Sequence, residues 1–184
     1  MVIIIISLVL VLILWSVVTF NRLVRGKNLV REAWSGIDVQ LKRRYNLIPA
    51  LVEAVKGYSG HERKLFVKIA EMRSRCVAAG GVREQGEAEN LLSRTIKSLF
   101  AVAEAYPDLK ANRGFLNLQE NLSEIEDEIQ LARRYYNGTV RNFNIRVESF
   151  PGMLVAGLCG FRQAGFFEIE YATERQAPEV KFQQ

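Results

Sequence analysis

The chain has 184 residues, 25 Lys and Arg against 20 Asp and Glu, and a formal net charge of +5. Four basic residues, Arg22, Arg25, Lys27 and Arg31, form one cluster, so the remainder is nearly balanced and no general nucleic-acid surface is implied. Cys76 and Cys159 lie far apart and His61 is the single histidine, which leaves no disulfide framework, no metal-ligand spacing and no expected cofactor.

Residues 2–20 are nineteen positions without a charge, fifteen of them Ile, Leu, Val or Phe. As a helix they would run about 28 Å, close to the roughly 30 Å hydrocarbon core of a bilayer. Fifteen such side chains favour insertion by at most about 5 to 9 kcal/mol, and no buried charge opposes them. Residues 1–21 therefore read as a transmembrane helix. A cleaved signal is disfavoured: no Lys or Arg precedes the apolar run, and Thr19-Phe20-Asn21 offers no small-residue cleavage site. The cluster Arg22, Arg25, Lys27 and Arg31 suits anionic lipid headgroups. By the positive-inside rule it places the N-terminus outside and the body in the cytoplasm, which in a bacterial cell means the plasma membrane.

The following 160 or so residues suffice for one core. Trp34, Ile37, Leu41, Tyr45, Ile48, Val52 and Val55 recur in steps of three and four, which predicts a heptad helix over 27–57. Gly26 is the only obvious hinge after the membrane segment, so the membrane helix is expected to run almost straight into this one as a rod of roughly 80 Å, and Pro49 should kink the helix without ending it. Ser59 and Glu62 form a capping-box pattern that predicts a second helix with Leu65, Ile69, Met72 and Cys76 inside. The single histidine, His61, would face solvent at that start. After a polar loop to Gly86, a third helix spans 87–106 and stops at Pro107. The fourth carries Phe115, Leu118, Leu122, Ile125, Ile129, Ala132, Tyr136, Val140, Phe143 and Val147 on one stripe. No segment alternates as a strand does. The expected fold is all-α: a transmembrane helix, then an antiparallel four-helix bundle over 22–150 with long helices one and four. Residues 151–170 form an apolar C-terminal segment and 171–184 a flexible tail.

Three stretches, residues 33–62, 101–144 and 149–161, resemble the bacterial LemA family. They begin AWSGIDVQLKRRYNLIPALVEAVK, AVAEAYPDLKANRGFLNLQENLSEIEDEIQ and SFPGMLVAGLCGF, and the likeness extends from about residue 21 to 167. The resemblance implies one N-terminal transmembrane helix and a cytoplasmic antiparallel four-helix bundle. It supplies no catalytic residue, cofactor or substrate. Its members are often encoded near membrane zinc metalloproteases, which implies a membrane protease as one class of partner.

Several side chains are candidates for interaction. Asp38, Arg43 and Arg44 lie beside the first seam, and a buried pair such as Asp38 with Arg133 or Arg134 could fix register or mark a partner site. Arg133 and Arg134 next to Tyr135 and Tyr136 superficially resemble a nucleic-acid motif, but the heptad turns Tyr136 inward. Met153, Leu154, Leu158, Phe161, Phe166 and Phe167 form either a cap over one bundle end or a patch for a second subunit, a partner or the membrane. The sequence holds no nucleophile–base pair, phosphate loop or di-metal carboxylate set. Three readings follow. The first is a membrane-anchored scaffold that forms homo-oligomers through its bundle and apolar C-terminal segment. The second is an adaptor or regulator of a membrane protease or signalling protein. An enzyme is the third and least supported.

Overall fold

A computed structural model describes residues 1–59 and 62–169 of the chain. The predicted exposure of His61 and the tail at 171–184 lie outside the described residues. Those described are helical with no strand among them, in the order α1 (Val2–Lys56), α2 (Arg63–Ala78), α3 (Val82–Glu104), α4 (Pro107–Lys110), α5 (Arg113–Glu148) and α6 (Gly152–Leu158).

Helix α1 is continuous for 55 residues, so the apolar stretch and the first heptad seam are one element about 80 Å long. Pro49 sits inside it without ending it. Gly26 is not a hinge. It is buried in unbroken helix, and a Cβ there would stand 3.0 Å from Phe143 Cδ2, so its lack of a side chain admits the Phe143 ring.

Two helix starts differ from their prediction. Helix α2 begins at Arg63 with Glu62 at its N-cap and no side-chain cap bond. The Ser59 hydroxyl instead donates backward to the Val55 carbonyl at 3.2 Å, so the capping-box pattern is not used as one. Helix α3 begins at Val82, five residues before the predicted start, and Gln85 and Gly86 are buried within it. Glycine suggested a loop there. The structure uses the missing Cβ for close approach, since one at Gly86 would lie 2.6 Å from the Glu168 carbonyl oxygen. The Glu84 carboxylate accepts the Gly80 amide at 3.0 Å and steadies the chain entering α3. Pro107, expected to stop the third helix, also opens the one-turn helix α4 from its first position. Asn112 then caps α5, its Oδ1 accepting the Phe115 amide at 3.2 Å.

The chain divides into two compact units. Unit 1 comprises Met1–Leu51 and Leu116–Phe166. Its core holds Ile37, Leu41 and Ile48 of α1 with Leu122, Ile129 and Val140 of α5, all buried. Gly26 meets Phe143, the Trp34 ring meets Tyr136 edge-on at 5.4 Å, and Arg44 meets Glu126. Unit 2 comprises Val52–Phe115 and the chain from Phe167. Phe66 and Ile69 of α2, Leu92, Ile96 and Leu99 of α3, and Leu109 of α4 are buried there, as are Phe167 and Ile169. Phe100 and Phe115 stack edge-to-face at 6.2 Å.

Candidate functional site

The candidate site lies in unit 1, where the apolar stretch of α1 gives way to the basic cluster. Every residue from Met1 to Leu14 is exposed. Trp15 is the first side chain covered by protein: it packs, with Val30, Val147, Phe161 and Ala164, around the buried cluster Leu23, Phe143, Val155 and Ala156. Helix α6 thus places its inner face against the same length of α1 that carries Trp15 and Leu23.

Backbone geometry puts α6 there. A Cβ at Gly152 would fall 2.8 Å from the Arg146 carbonyl oxygen, so glycine permits the turn back onto the last turn of α5. At the other end Gly160 is left-handed, at φ 70°, and the Phe161 amide donates to the Ala156 carbonyl at 2.9 Å, a Schellman-type ending. The chain reverses and brings the Phe161 ring to α1, edge-on to Phe20 at 5.8 Å and beneath Lys27 Nζ at 5.9 Å.

The return segment is pinned to α5. Asn144 donates from Nδ2 to the Ala164 carbonyl at 3.0 Å and accepts the Ala164 amide on Oδ1 at 2.8 Å. The Tyr136 hydroxyl donates to the Gly165 carbonyl at 2.9 Å, and burial holds its phenol pKa above the ordinary value. Gln163 donates to the Glu148 carboxylate. A cleft of about 230 Å³ opens beside α6, with Trp15, Thr19 and Arg22 of α1 facing Arg146, Ser149 and Phe150.

The predicted residues fall into distinct classes. Arg22, Arg25, Lys27 and Arg31 are all exposed on α1. Met153, Leu154, Leu158 and Phe166 are exposed, Leu158 at 89%, and Phe161 is half-buried. Phe167 is fully buried and belongs to unit 2, so it is not part of that open surface. Arg43 is exposed and donates to Gln40 at 3.0 Å; Arg133 is half-buried and Arg134 exposed.

A buried ion pair joins α1 to α5, but its partners differ from those expected. Asp38 pairs with Lys42, one turn along its own helix, at 2.6 Å. The cross-helix pair is Arg44 Nη2 with Glu126 Oε1 at 2.8 Å, Arg44 being only 1% exposed. Seam position explains the exchange: Arg44 precedes the core residue Tyr45 and faces α5, whereas Asp38 is only half-buried.

Sequence reasoning missed Arg146, Asn144 and Gly152. Asn144 carried a readable signal, since a polar residue beside Phe143 on a seam calls for a buried partner. Arg146 carried none, because its place in the cleft depends on where α6 folds. Among the described residues no group of three or more His, Cys, Asp or Glu could hold a metal ion. The arrangement presents open apolar side chains beside exposed basic ones.

A family model described as LemA family matches residues 33–182. The chain belongs to the LemA family. Among similar proteins, magnetosome protein MamQ 2 of Paramagnetospirillum magneticum is 25% identical over 160 residues, covering 73% of this LemA-family chain and 59% of the relative. Protein LemA of Metamycoplasma hominis is 29% identical over 131 residues, covering 71% of this chain and 60% of the relative. The chain thus spans about three fifths of the length of these curated relatives. The match to the family begins at residue 33, beyond the apolar stretch and the basic cluster.

Proposed function

We propose that this LemA-family chain is a membrane-anchored scaffold: residues 2–20 lie in a bilayer and a helical body stands at the cytoplasmic face. The observation that carries the reading is a helix long and apolar enough to cross a membrane whose apolar window has no buried residue. An apolar helix left uncovered by protein calls for another apolar solvent. Arg22, Arg25, Lys27 and Arg31 follow it directly, which supports the cytoplasmic orientation. We read the body as an antiparallel four-helix bundle of α1, α2, α3 and α5. Rising positions 26, 34 and 44 of α1 meet falling positions 143, 136 and 126 of α5, which supports the opposed direction of that pair. A link of three residues between α2 and α3 suits neighbouring opposed helices.

Copies anchored in one membrane would associate through the body and through the apolar C-terminal segment around Phe166. Leu131 and Tyr135, one turn apart on α5 and more than half exposed, support such a contact. Sizing the full-length protein in mild detergent, with crosslinking in native membranes, tests this. A defined oligomer is expected in both, and a strict monomer in both would overturn self-association. The same stripe with the exposed Arg134 favours a second reading, an adaptor that offers α5 to a membrane protease or signalling protein. Crosslinking from Tyr135 would then yield a stoichiometric second protein rather than a second copy. Protease added to intact cells should spare the body; digestion would reverse the orientation.

A further inference from the structure

We propose that the outer face of α6 and the cleft beside it seat an anionic phospholipid of the leaflet in which the apolar stretch ends. This deepens the anchoring proposal and rests on residues 2–20 being in a bilayer.

Four observations converge on that occupant. First, α6 is level with the end of the apolar stretch: its inner residues Val155 and Ala156 share a cluster with Leu23, against which Trp15 also packs, and Phe161 touches Phe20. At 1.5 Å per residue, Trp15 to Arg22 spans about 10 Å, the depth over which acyl chain gives way to headgroup. Second, the side of α6 turned away from that cluster is apolar and open. Met153 and Leu154 are about half exposed, Leu158 is 89% exposed, and Phe150 just before the helix is 77% exposed. In water this would be a costly surface; at a bilayer interface it is the surface that inserts. Third, the cleft is graded as a lipid is. Trp15 and Phe150 line it together with Arg22 and Arg146. The Arg146 guanidinium lies beside α1, where Nη1 is 3.6 Å from the position of a Cβ on Gly26, one turn after Arg22. Two guanidiniums on one rim are suited to a phosphate, which they can contact through paired N–H donors. Fourth, Arg25, Lys27 and Arg31 extend the positive rim along α1, complementing an anionic leaflet. A second copy of this chain would have to bury those charges, whereas headgroups neutralise them.

The test uses full-length protein and its own exposed cysteine. Cys159 caps α6 and is exposed, while Cys76 is buried, so a fluorophore can be placed at the end of α6 in the folded protein. Labelled protein is reconstituted in nanodiscs of phosphatidylcholine with or without phosphatidylglycerol. Quencher lipids labelled near the headgroup or at the chain end report depth. Quenching by the shallow label, exceeding that by the deep one, is expected. Native mass spectrometry of detergent-extracted protein should show retained phosphatidylglycerol in preference to phosphatidylcholine. At about 1 kcal/mol per basic residue near an anionic surface, Arg22→Gln and Arg146→Gln should each reduce that preference about fivefold. Both side chains are exposed, so folding is unaffected. Leu154→Ser with Leu158→Ser should reduce the shallow quenching. A probe unquenched by any lipid, in protein that resists carbonate extraction, overturns the inference and leaves the anchor standing. Equal retention of the two lipids by wild type and both arginine variants also overturns it. Release of the protein by carbonate overturns both.

Discussion

In unit 1 the side chains of residues 2–14 and the outer face of α6 leave Ile, Leu, Val and Met open over contiguous surface. In unit 2, among the described residues, the open large apolar side chains are Tyr58, Val67 and Val77, scattered singly. Isolated apolar residues are ordinary on a protein in water, while a contiguous apolar surface signals a different neighbour. Unit 1 spends its buried polar groups on long-range ties, Arg44 to Glu126 and Asn144 to the Ala164 backbone. In unit 2 Gln85 Nε2 donates to Glu89 Oε1 at 2.9 Å, Asn112 Nδ2 donates to the Tyr58 hydroxyl at 3.1 Å, and Gly86 admits the Glu168 backbone. Both units join distant segments, through Asn144 and Ala164 in unit 1 and through Gly86 and Glu168 in unit 2.

The sharpest way to break this comparison is to cut each core separately. Ile129→Ala in unit 1 and Leu92→Ala in unit 2 remove fully buried side chains, and each should cost about 2 to 5 kcal/mol. Hydrogen exchange resolved by residue should then show protection lost mainly in the unit that carries the substitution. Equal loss in both would mean that the two units open as one.

Removing one partner of the buried pair comes next. Glu126→Ala leaves the Arg44 guanidinium in the core of unit 1 and should cost about 3 kcal/mol in denaturant melts, near the lower end for buried pairs because Glu126 is 23% exposed. Arg44→Met together with Glu126→Leu should restore most of that stability. If the double variant is no better than the single, the pair does more than hold charge.

Gly86→Val probes the device peculiar to unit 2. Its side chain would start 2.6 Å from the Glu168 carbonyl oxygen, so the segment carrying Phe167 must shift, at about 1 to 3 kcal/mol. Faster proteolysis after Phe167, with exchange in α5 unchanged, is the expected result.

The smallest effect is that of Tyr136→Phe. Loss of the hydroxyl bond to Gly165, whose carbonyl water can reach, should cost about 1 kcal/mol. The sign of its pH dependence follows from burial, which favours the neutral phenol and raises its pKa above 10.0. Its contribution is therefore fully present below about pH 10 and lost as pH climbs through the raised folded value. The Phe variant should lose less stability than wild type between neutral and strongly alkaline melts.

The sequence by itself determined the helical class, the apolar stretch at residues 2–20, the basic cluster after it, and the core stripes. Ile37, Leu41, Ile48, Val52 and Val55 are buried as their spacing requires, as are Leu122, Ile125, Ile129, Val140 and Phe143. These are local properties: hydropathy over a window and a period near 3.6 residues need no knowledge of the partner. Tertiary structure alone decided which polar side chains meet. Asp38 and Arg44 lie less than two turns apart on α1, and only the rotation of α1 against α5 sends one to Lys42 and the other to Glu126. It also decided that Gly26 and Gly86 serve close packing rather than a hinge or a loop, because a missing Cβ acquires meaning only from the atom that approaches it. The apolar run at 153–167 divided in the same way, with Val155 and Phe167 buried and Leu158 open. Hydrophobicity states that a side chain avoids water; the fold determines whether protein or another apolar phase covers it.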